Sequence, residues 1–247
     1  MRGWLKERKV GFAITCLFLF FILWGLGSQD FGEKESAEDR FFKGIEYAAN
    51  GQLDEAIAEY KKALEIDEQY ALAYTGLGSA YLRKGWVDAS IVEWERAIAL
   101  NPNYAWAHTT LGVAYEKKGR VDEALLAYTK AIELNPIYTW AYVRLGRVYR
   151  YQGKLNEAVE EYKKALTINP DYDMAHAAIG KIYAQQGLFQ EALSSYKRAV
   201  EIDPNFANVY YQLGLVYEKI GMPVEAQEAF ATYNTLLANL KVSPEIP

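Results

Sequence analysis

Three arginines at intervals of three residues are the side chains of this sequence best suited to bind a charged group. Arg144, Arg147 and Arg150 would share one stripe of a helix at this spacing. A guanidinium group can hold a carboxylate through two parallel hydrogen bonds. The pattern therefore predicts a basic patch for acidic groups, to which Lys181 adds a fourth cation. The alternative is that Glu116 and other acidic neighbours neutralise the patch.

A period of 34 residues organises the chain from Ala37 to Leu240. Two glycines and one tyrosine recur without a break: Gly44, Gly78, Gly112, Gly146, Gly180 and Gly214; Gly51, Gly85, Gly119, Gly153, Gly187 and Gly221; Tyr47, Tyr81, Tyr115, Tyr149, Tyr183 and Tyr217. A fixed period of this length is typical of a stacked solenoid, in which each repeat is one supersecondary unit. The sequence therefore predicts six units, at 37–70, 71–104, 105–138, 139–172, 173–206 and 207–240.

Each unit is predicted to fold as two helices. In the third unit, apolar and aromatic residues recur at steps of three and four over about Ala105 to Lys118, which indicates one face of a helix. Gly119 is predicted to end this helix in the left-handed conformation. Asp122 is predicted to cap the second helix.

The alternation of large and small residues resembles the tetratricopeptide repeat family. A leucine–glycine pair stands in four first helices, at Leu77-Gly78, Leu111-Gly112, Leu145-Gly146 and Leu213-Gly214. The second helices carry an aromatic residue at one position: Tyr60, Trp94, Tyr128, Tyr162, Tyr196 or Phe230. Four units close with a proline, Pro102, Pro136, Pro170 or Pro204. The resemblance covers residues 37–240 and implies an all-α fold, a right-handed α-solenoid of helix-turn-helix units.

The resemblance also implies where a partner binds. In this family the first helix of each unit lines the concave surface, and the members generally act as protein scaffolds. Apolar residues stand at the second position of four units: Leu72, Trp106, Trp140 and Met174. The four cations stand at other positions that face the same surface: Arg144, Arg147, Arg150 and Lys181. These eight residues are predicted to bind a protein or peptide segment with apolar and acidic residues. The alternative for the tryptophans is packing against the neighbouring first helix.

The remaining reactive side chains do not converge on a catalytic or metal centre. His108 and His176 hold the same position two units apart, roughly 20 Å if neighbouring helices pack at about 10 Å. They are expected to be packing residues with a bonded ring nitrogen. Ser194 and Ser195 have no histidine near them in the repeat register, and Cys16, the one cysteine, lies outside the repeats. The sequence therefore predicts no enzyme, no cofactor and no metal site.

An uncharged run of 18 residues, Val10 to Gly27, precedes the repeats. As a helix it would span about 27 Å, close to the roughly 30 Å hydrocarbon thickness of a bilayer. Because basic residues precede the run and an acidic linker at 28–36 follows it, the pattern predicts a transmembrane signal anchor at 10–27. The basic segment 1–9 would be cytoplasmic, and the repeats would lie in the periplasm or at the cell surface. A cleaved signal peptide is the alternative, although the run is longer than the usual apolar region.

Composition limits the partners further. The formal net charge of −5 argues against non-specific nucleic-acid binding. Residues 241–247 are predicted to be a short tail. The sequence as a whole predicts a single-pass, membrane-anchored scaffold or adaptor for assembly of an envelope complex. Self-association of the solenoid into a homodimer is the alternative.

Overall fold

A computed structural model describes residues 35–242, which form twelve α-helices and no strand. Their bounds are α1 Ala37–Ala49, α2 Leu53–Ile66, α3 Ala71–Arg83, α4 Val87–Leu100, α5 Ala105–Lys117, α6 Val121–Leu134, α7 Thr139–Tyr151, α8 Leu155–Ile168, α9 Asp173–Gln185, α10 Phe189–Ile202, α11 Ala207–Lys219 and α12 Pro223–Val242. The helices pair in chain order, and we number the pairs as units 1 to 6. The predicted all-α solenoid is confirmed.

A glycine in the left-handed conformation follows the first helix of every unit. The φ angles lie between 74° and 80° at Gly51, Gly85, Gly119, Gly153, Gly187 and Gly221. At Gly119 the N–H donates to the carbonyl of Glu116 at 3.0 Å, which closes the helix end as predicted. The prediction for Asp122 is wrong, because α6 already begins at Val121 and no side chain caps it. Asp122 lies within the first turn instead, where the helix dipole favours an acid.

A second glycine marks the place where the two helices of a unit touch. A Cβ added at Gly112 would lie 2.6 Å from the ring of Tyr128, and one at Gly180 would lie 2.8 Å from the ring of Tyr196. A Cβ atom in a folded protein does not come this close to a ring atom that it is not bonded to. Only glycine, which has no Cβ, therefore lets the aromatic ring lie against the first helix. The ring positions of Tyr128 and Tyr196, both buried, are thereby fixed.

Contacts between units define an inner and an outer layer of helices. Each first helix contacts the first helix of the next unit, whereas no second helix among the described units contacts another second helix. The first helices are therefore closer together and form the concave side of the stack. The odd-numbered helices, α1 to α11, are the ones that face a ligand held by that side.

The predicted localisation is contradicted. Within residues 35–242 no helix is both long enough and apolar enough to cross a membrane. Eleven of these helices contain 13 or 14 residues, about 20 Å of helix against roughly 30 Å of hydrocarbon. The run 10–27, on which the predicted span rests, lies outside the described residues. The interpretation as a single-pass membrane protein is therefore withdrawn.

Candidate binding recess

A recess opens on the concave side of units 4 to 6. It has a volume of about 430 Å³ and is lined mainly by α7, α9 and α11. Four cations line it together with apolar and aromatic side chains, and no carboxylate of the described residues does. The lining consists of Trp140, Val143, Arg144, Arg147, Arg150, Tyr162, Met174, Ala177, Ala178, Lys181, Tyr196, Phe206, Asn208, Val209, Tyr211 and Gln212. We call this cavity the basic recess.

One carboxylate from the preceding unit holds two of the four cations. Arg144 Nη2 lies 2.6 Å from Glu116 Oε2, and Arg147 Nη2 lies 3.0 Å from the same oxygen. The hydroxyl of Tyr128 donates to Glu116 and accepts a hydrogen bond from Arg144 Nε at 3.2 Å. The side chains of Arg144 and Glu116 are only 13% and 11% exposed. Neutralisation by Glu116, the alternative raised by the sequence, therefore applies to Arg144 and Arg147.

This network keeps the phenol of Tyr128 in its neutral form. Burial raises the pKa of Tyr128, Arg144 opposes the rise, and Glu116 adds to it. The phenol therefore remains a hydrogen-bond donor at neutral pH. Because it sits between a carboxylate and a guanidinium, the network joins α5 and α6 of unit 3 to α7 of unit 4.

Arg150 and Lys181 carry the rest of the positive charge in the basic recess. Arg150 lies 4.8 Å from the ring centre of Tyr151. It also lies near Tyr162, whose pKa is raised by burial and lowered in part by this arginine. Lys181 is exposed, and it has no hydrogen-bond or ion-pair partner within residues 35–242. Neither cation is paired with a carboxylate of that part of the chain.

Met174 and Trp140 supply apolar surface beside these cations. Met174 is 48% exposed. Trp140 is half-buried, with its ring centre 6.2 Å from that of Tyr138 and 5.8 Å from the guanidinium of Arg144. Polarisable and aromatic side chains of this kind are common contacts for a bound partner. The basic recess thus combines apolar contact area with unpaired positive charge.

The other two predicted apolar residues lie outside the basic recess. Leu72 is 40% exposed on α3. Trp106 packs edge-on against the buried Trp94, with ring centres 4.9 Å apart, and its ring centre lies 5.7 Å from that of Tyr104. Partner binding by Leu72 and Trp106 stays a prediction. The ring of Trp106 also packs against the core of units 2 and 3.

Models of one repeat family match most of the described chain. The model described as "TPR repeat" matches residues 44–85, 84–119, 146–187 and 180–221. Two models described as "Tetratricopeptide repeat" match residues 105–138 and 127–160. This chain belongs to the tetratricopeptide repeat family.

Several solved tetratricopeptide repeat structures are similar to it. MamA is 32% identical, with a TM-score of 0.59 over 67% of this chain and 96% of that chain. YrrB, described as a TPR protein with an unusual peptide-binding site, is 26% identical, with a TM-score of 0.56 over 72% and 91% of the two chains. Pseudomonas aeruginosa pilF, at 20% identity, has a TM-score of 0.72 over 84% and 93%, which shows the fold alone. No curated protein matches the sequence.

The position of each residue within its repeat predicted some of the residues that line the basic recess but not others. Six of the eight predicted residues line it: Trp140, Arg144, Arg147, Arg150, Met174 and Lys181. Tyr196 was interpreted only as a packing residue, yet it also belongs to the wall. A signal was present in the sequence, because Ala184 stands at the twelfth position of unit 5, where Glu116 and Arg150 stand in units 3 and 4.

The two histidines are bonded within their own units. His108 Nε2 lies 2.9 Å from the carbonyl oxygen of Pro102, and His176 Nε2 lies 2.9 Å from that of Pro170. Each ring is therefore bound to the turn that precedes its helix, as expected for a packing residue. Within residues 35–242 no cluster of histidine, cysteine, aspartate and glutamate could hold a metal ion.

Proposed function

We propose that this protein is a non-catalytic scaffold that binds a segment of a partner protein in the basic recess. The observation that carries the proposal is the position of Met174 and Trp140 beside Arg150 and Lys181 on the concave side of units 4 and 5. An extended or helical segment with apolar and acidic residues fits this surface. Its apolar residues would supply affinity, and its acidic residues would fix its orientation and select against basic ligands.

Charge distribution and family likeness both support this proposal. The chain as a whole is acidic, with a formal net charge of −5, whereas the basic recess carries Arg150 and Lys181 without a paired carboxylate of residues 35–242. A local field of opposite sign favours encounter with acidic segments over other partners. The description of YrrB names a peptide-binding site, and this chain is 26% identical to YrrB.

A peptide library tests the proposal without knowledge of the natural partner. Random 12-residue peptides would be displayed and selected on the full-length protein, and the enriched peptides would be synthesised and titrated. Met174→Arg places bulk and charge in the basic recess at a side chain that is 48% exposed. Leu126→Arg is the matched control, because Leu126 is 72% exposed on α6, an outer helix.

We expect enriched peptides to lose binding to Met174→Arg by about 30-fold or more, the effect of a hot spot. They should bind Leu126→Arg as well as the wild-type protein. Equal binding to both variants would place the recognition surface elsewhere, and failure to enrich any peptide would contradict the proposal outright.

Self-association is a second candidate, favoured by apolar side chains on α1 and α3. Phe42, Ile45 and Leu72 are 53%, 43% and 40% exposed. Light scattering of the full-length chain over a range of concentrations would detect a dimer, and Ile45→Lys should weaken it. A monomer at every concentration would exclude this candidate.

A further inference from the structure

Tyr196 lines the basic recess, and its hydroxyl is a buried polar group without a hydrogen-bond partner within residues 35–242. Two side-chain polar atoms within residues 35–242 are buried with no hydrogen-bond partner, Trp94 Nε1 and the Tyr196 hydroxyl oxygen. Both belong to the aromatic residue of a second helix. Trp94 is not part of the recess lining, whereas Tyr196 is. A buried donor is costly unless it is bonded, so an acceptor that enters the recess would relieve this cost.

Equivalent tyrosines show what is missing at this position. Tyr128 bonds to Glu116, and Arg150 lies close enough to Tyr162 to lower the pKa of its phenol; Glu116 and Arg150 are each the twelfth residue of the tyrosine's own unit. In unit 5 the twelfth residue is Ala184, which carries no polar group. The ring of Tyr196 is held beside Gly180, so it cannot turn freely toward another partner. The hydroxyl is therefore fixed in place while its partner position is vacant.

The surroundings of this hydroxyl select for negative charge. Lys181 lines the same recess and is unpaired within residues 35–242. Arg150 lies in the same lining, and no carboxylate of the described residues does. Gln212, also in the lining, holds the position from which Arg144 reaches Tyr128 two junctions earlier, but it forms no hydrogen bond with Tyr196. The group that is lacking is an acceptor with negative charge.

We propose that the basic recess binds a carboxylate of the bound segment, which accepts a hydrogen bond from the Tyr196 hydroxyl and pairs with Lys181. This inference rests on the proposed function and deepens it by assigning one chemical group to one position. A carboxylate can come from an aspartate or glutamate side chain or from the end of a chain. Burial raises the pKa of Tyr196, so the phenol is un-ionised and able to donate over the neutral range.

The test uses two versions of the 12-residue library on the full-length protein. One version ends in a free carboxyl group and the other in a blocked terminus, which distinguishes the two sources of the carboxylate. The best peptide would then be compared with its amide analogue, in which glutamine or asparagine replaces the acid or the terminus is amidated. Both peptides would be titrated against wild type, Tyr196→Phe and Tyr60→Phe.

Tyr196→Phe removes one oxygen and should fold, because Phe230 holds the same position in unit 6. We expect the amide analogue to bind wild type about 10-fold more weakly than the acid, since a hydrogen bond to a charged group is among the stronger ones. That difference should fall to about threefold or less in Tyr196→Phe. Tyr60→Phe, the same change in unit 1 outside the recess, should keep the full difference.

The outcomes separate this inference from the proposed function. Peptides that lose binding to Met174→Arg but bind Tyr196→Phe with an unchanged acid–amide difference would overturn the carboxylate site and leave the proposed function intact. Peptides that bind Met174→Arg as tightly as wild type, or a library that yields no binder, would overturn both the carboxylate site and the proposed function. Loss of the difference in Tyr196→Phe but not in Tyr60→Phe would support both.

Discussion

Two junctions between units have a buried tyrosine at the same position, but its hydroxyl is hydrogen-bonded at one junction and not at the other. Between units 3 and 4, the Tyr128 hydroxyl is bonded to both Glu116 and Arg144. Between units 5 and 6, the Tyr196 hydroxyl has no hydrogen-bond partner in the part of the chain that the structure describes. The ring of each tyrosine lies against a glycine, so the backbones demand the same packing at both places. The two junctions differ only in the side chains that surround the phenol.

If the proposed function holds, this difference separates the residues that stabilise the stack from those that bind a ligand. At the first junction the chain supplies its own anion, and two arginines are used to hold the stack together. At the second junction no anion is supplied; the Tyr196 hydroxyl is buried without a partner within residues 35–242, and Tyr196 and Lys181 both line a cavity. A buried network that is fully bonded rigidifies a structure, whereas an unbonded group costs stability until a ligand binds it. The predictions below test this contrast in order of decreasing effect.

Removal of Glu116 should produce the largest loss of stability. Glu116→Ala leaves Arg144, whose side chain is 13% exposed, without its carboxylate. Breaking a buried ion pair by removing one partner typically costs about 3 kcal/mol or more. Chemical denaturation of the full-length chain, followed by circular dichroism, would measure it.

Glu123→Ala is the control for Glu116→Ala. Glu123 pairs with Arg120 at 2.9 Å, but these side chains are 42% and 45% exposed, respectively. An exposed pair of this kind contributes little to stability, because solvent screens it. Equal losses for the two variants would show that the Glu116 network does not stabilise the junction of units 3 and 4.

Removal of the phenol oxygen should change stability in opposite directions at the two junctions. Tyr128→Phe deletes hydrogen bonds to Glu116 and Arg144 and should destabilise the fold by about 1 kcal/mol. Tyr196→Phe deletes an unbonded buried hydroxyl and should stabilise the fold by up to about 1 kcal/mol. Denaturation midpoints of the two variants, measured side by side with wild type, provide the comparison. A destabilised Tyr196→Phe would mean that its hydroxyl is bonded in solution.

The sequence was sufficient for the fold but not for this contrast. Gly51 and its five equivalents predicted the end of every first helix, because a positive φ is a local backbone requirement. Arg144, Arg147 and Arg150 share one spacing, yet Glu116 holds only the first two. Spacing along one helix cannot say which side chains reach the preceding unit, since that depends on the angle between stacked helices.

Other predictions failed or stayed open for related reasons. Trp106 faces the concave side by register, but its ring packs on Trp94 of the preceding unit, a contact that no spacing within one unit reveals. The span at 10–27 was predicted from its length, its apolar content and the charges on either side, and the described helices contain none that could cross a membrane. The unbonded state of Tyr196 required knowledge of both Ala184 and the burial of the phenol.

Alkaline pH should increase the difference in free energy of unfolding by which Tyr196→Phe exceeds wild type. Burial raises the pKa of Tyr196 in the folded chain, while the unfolded chain keeps the ordinary value of about 10. A raised folded pKa gives stability that is fully present below pH 10 and is lost as pH rises toward the folded value. Between pH 8 and pH 10.5, the free energy of unfolding of wild type should therefore fall by about 0.8 kcal/mol more than that of Tyr196→Phe. A gap that does not change with pH would show that the phenol is accessible and titrates normally.

Substitution of Lys181 should have the smallest effect and the clearest salt dependence. Lys181 is exposed and unpaired within residues 35–242, so Lys181→Gln should leave the denaturation midpoint unchanged. An exposed charge pair contributes about 0.2–1 kcal/mol, so an acidic peptide from the library should bind this variant roughly two- to fivefold more weakly. Salt screens exposed charges, and the loss should shrink as ionic strength rises from 0.01 M to about 1 M. Lys118→Gln is the matched control, because Lys118 is already paired with Asp88 at 2.8 Å and lies outside the basic recess. If Lys181→Gln weakened binding equally at low and high salt, the lysine would act by packing rather than by charge. An unpaired positive charge would then no longer distinguish the junction of units 5 and 6 from the junction of units 3 and 4.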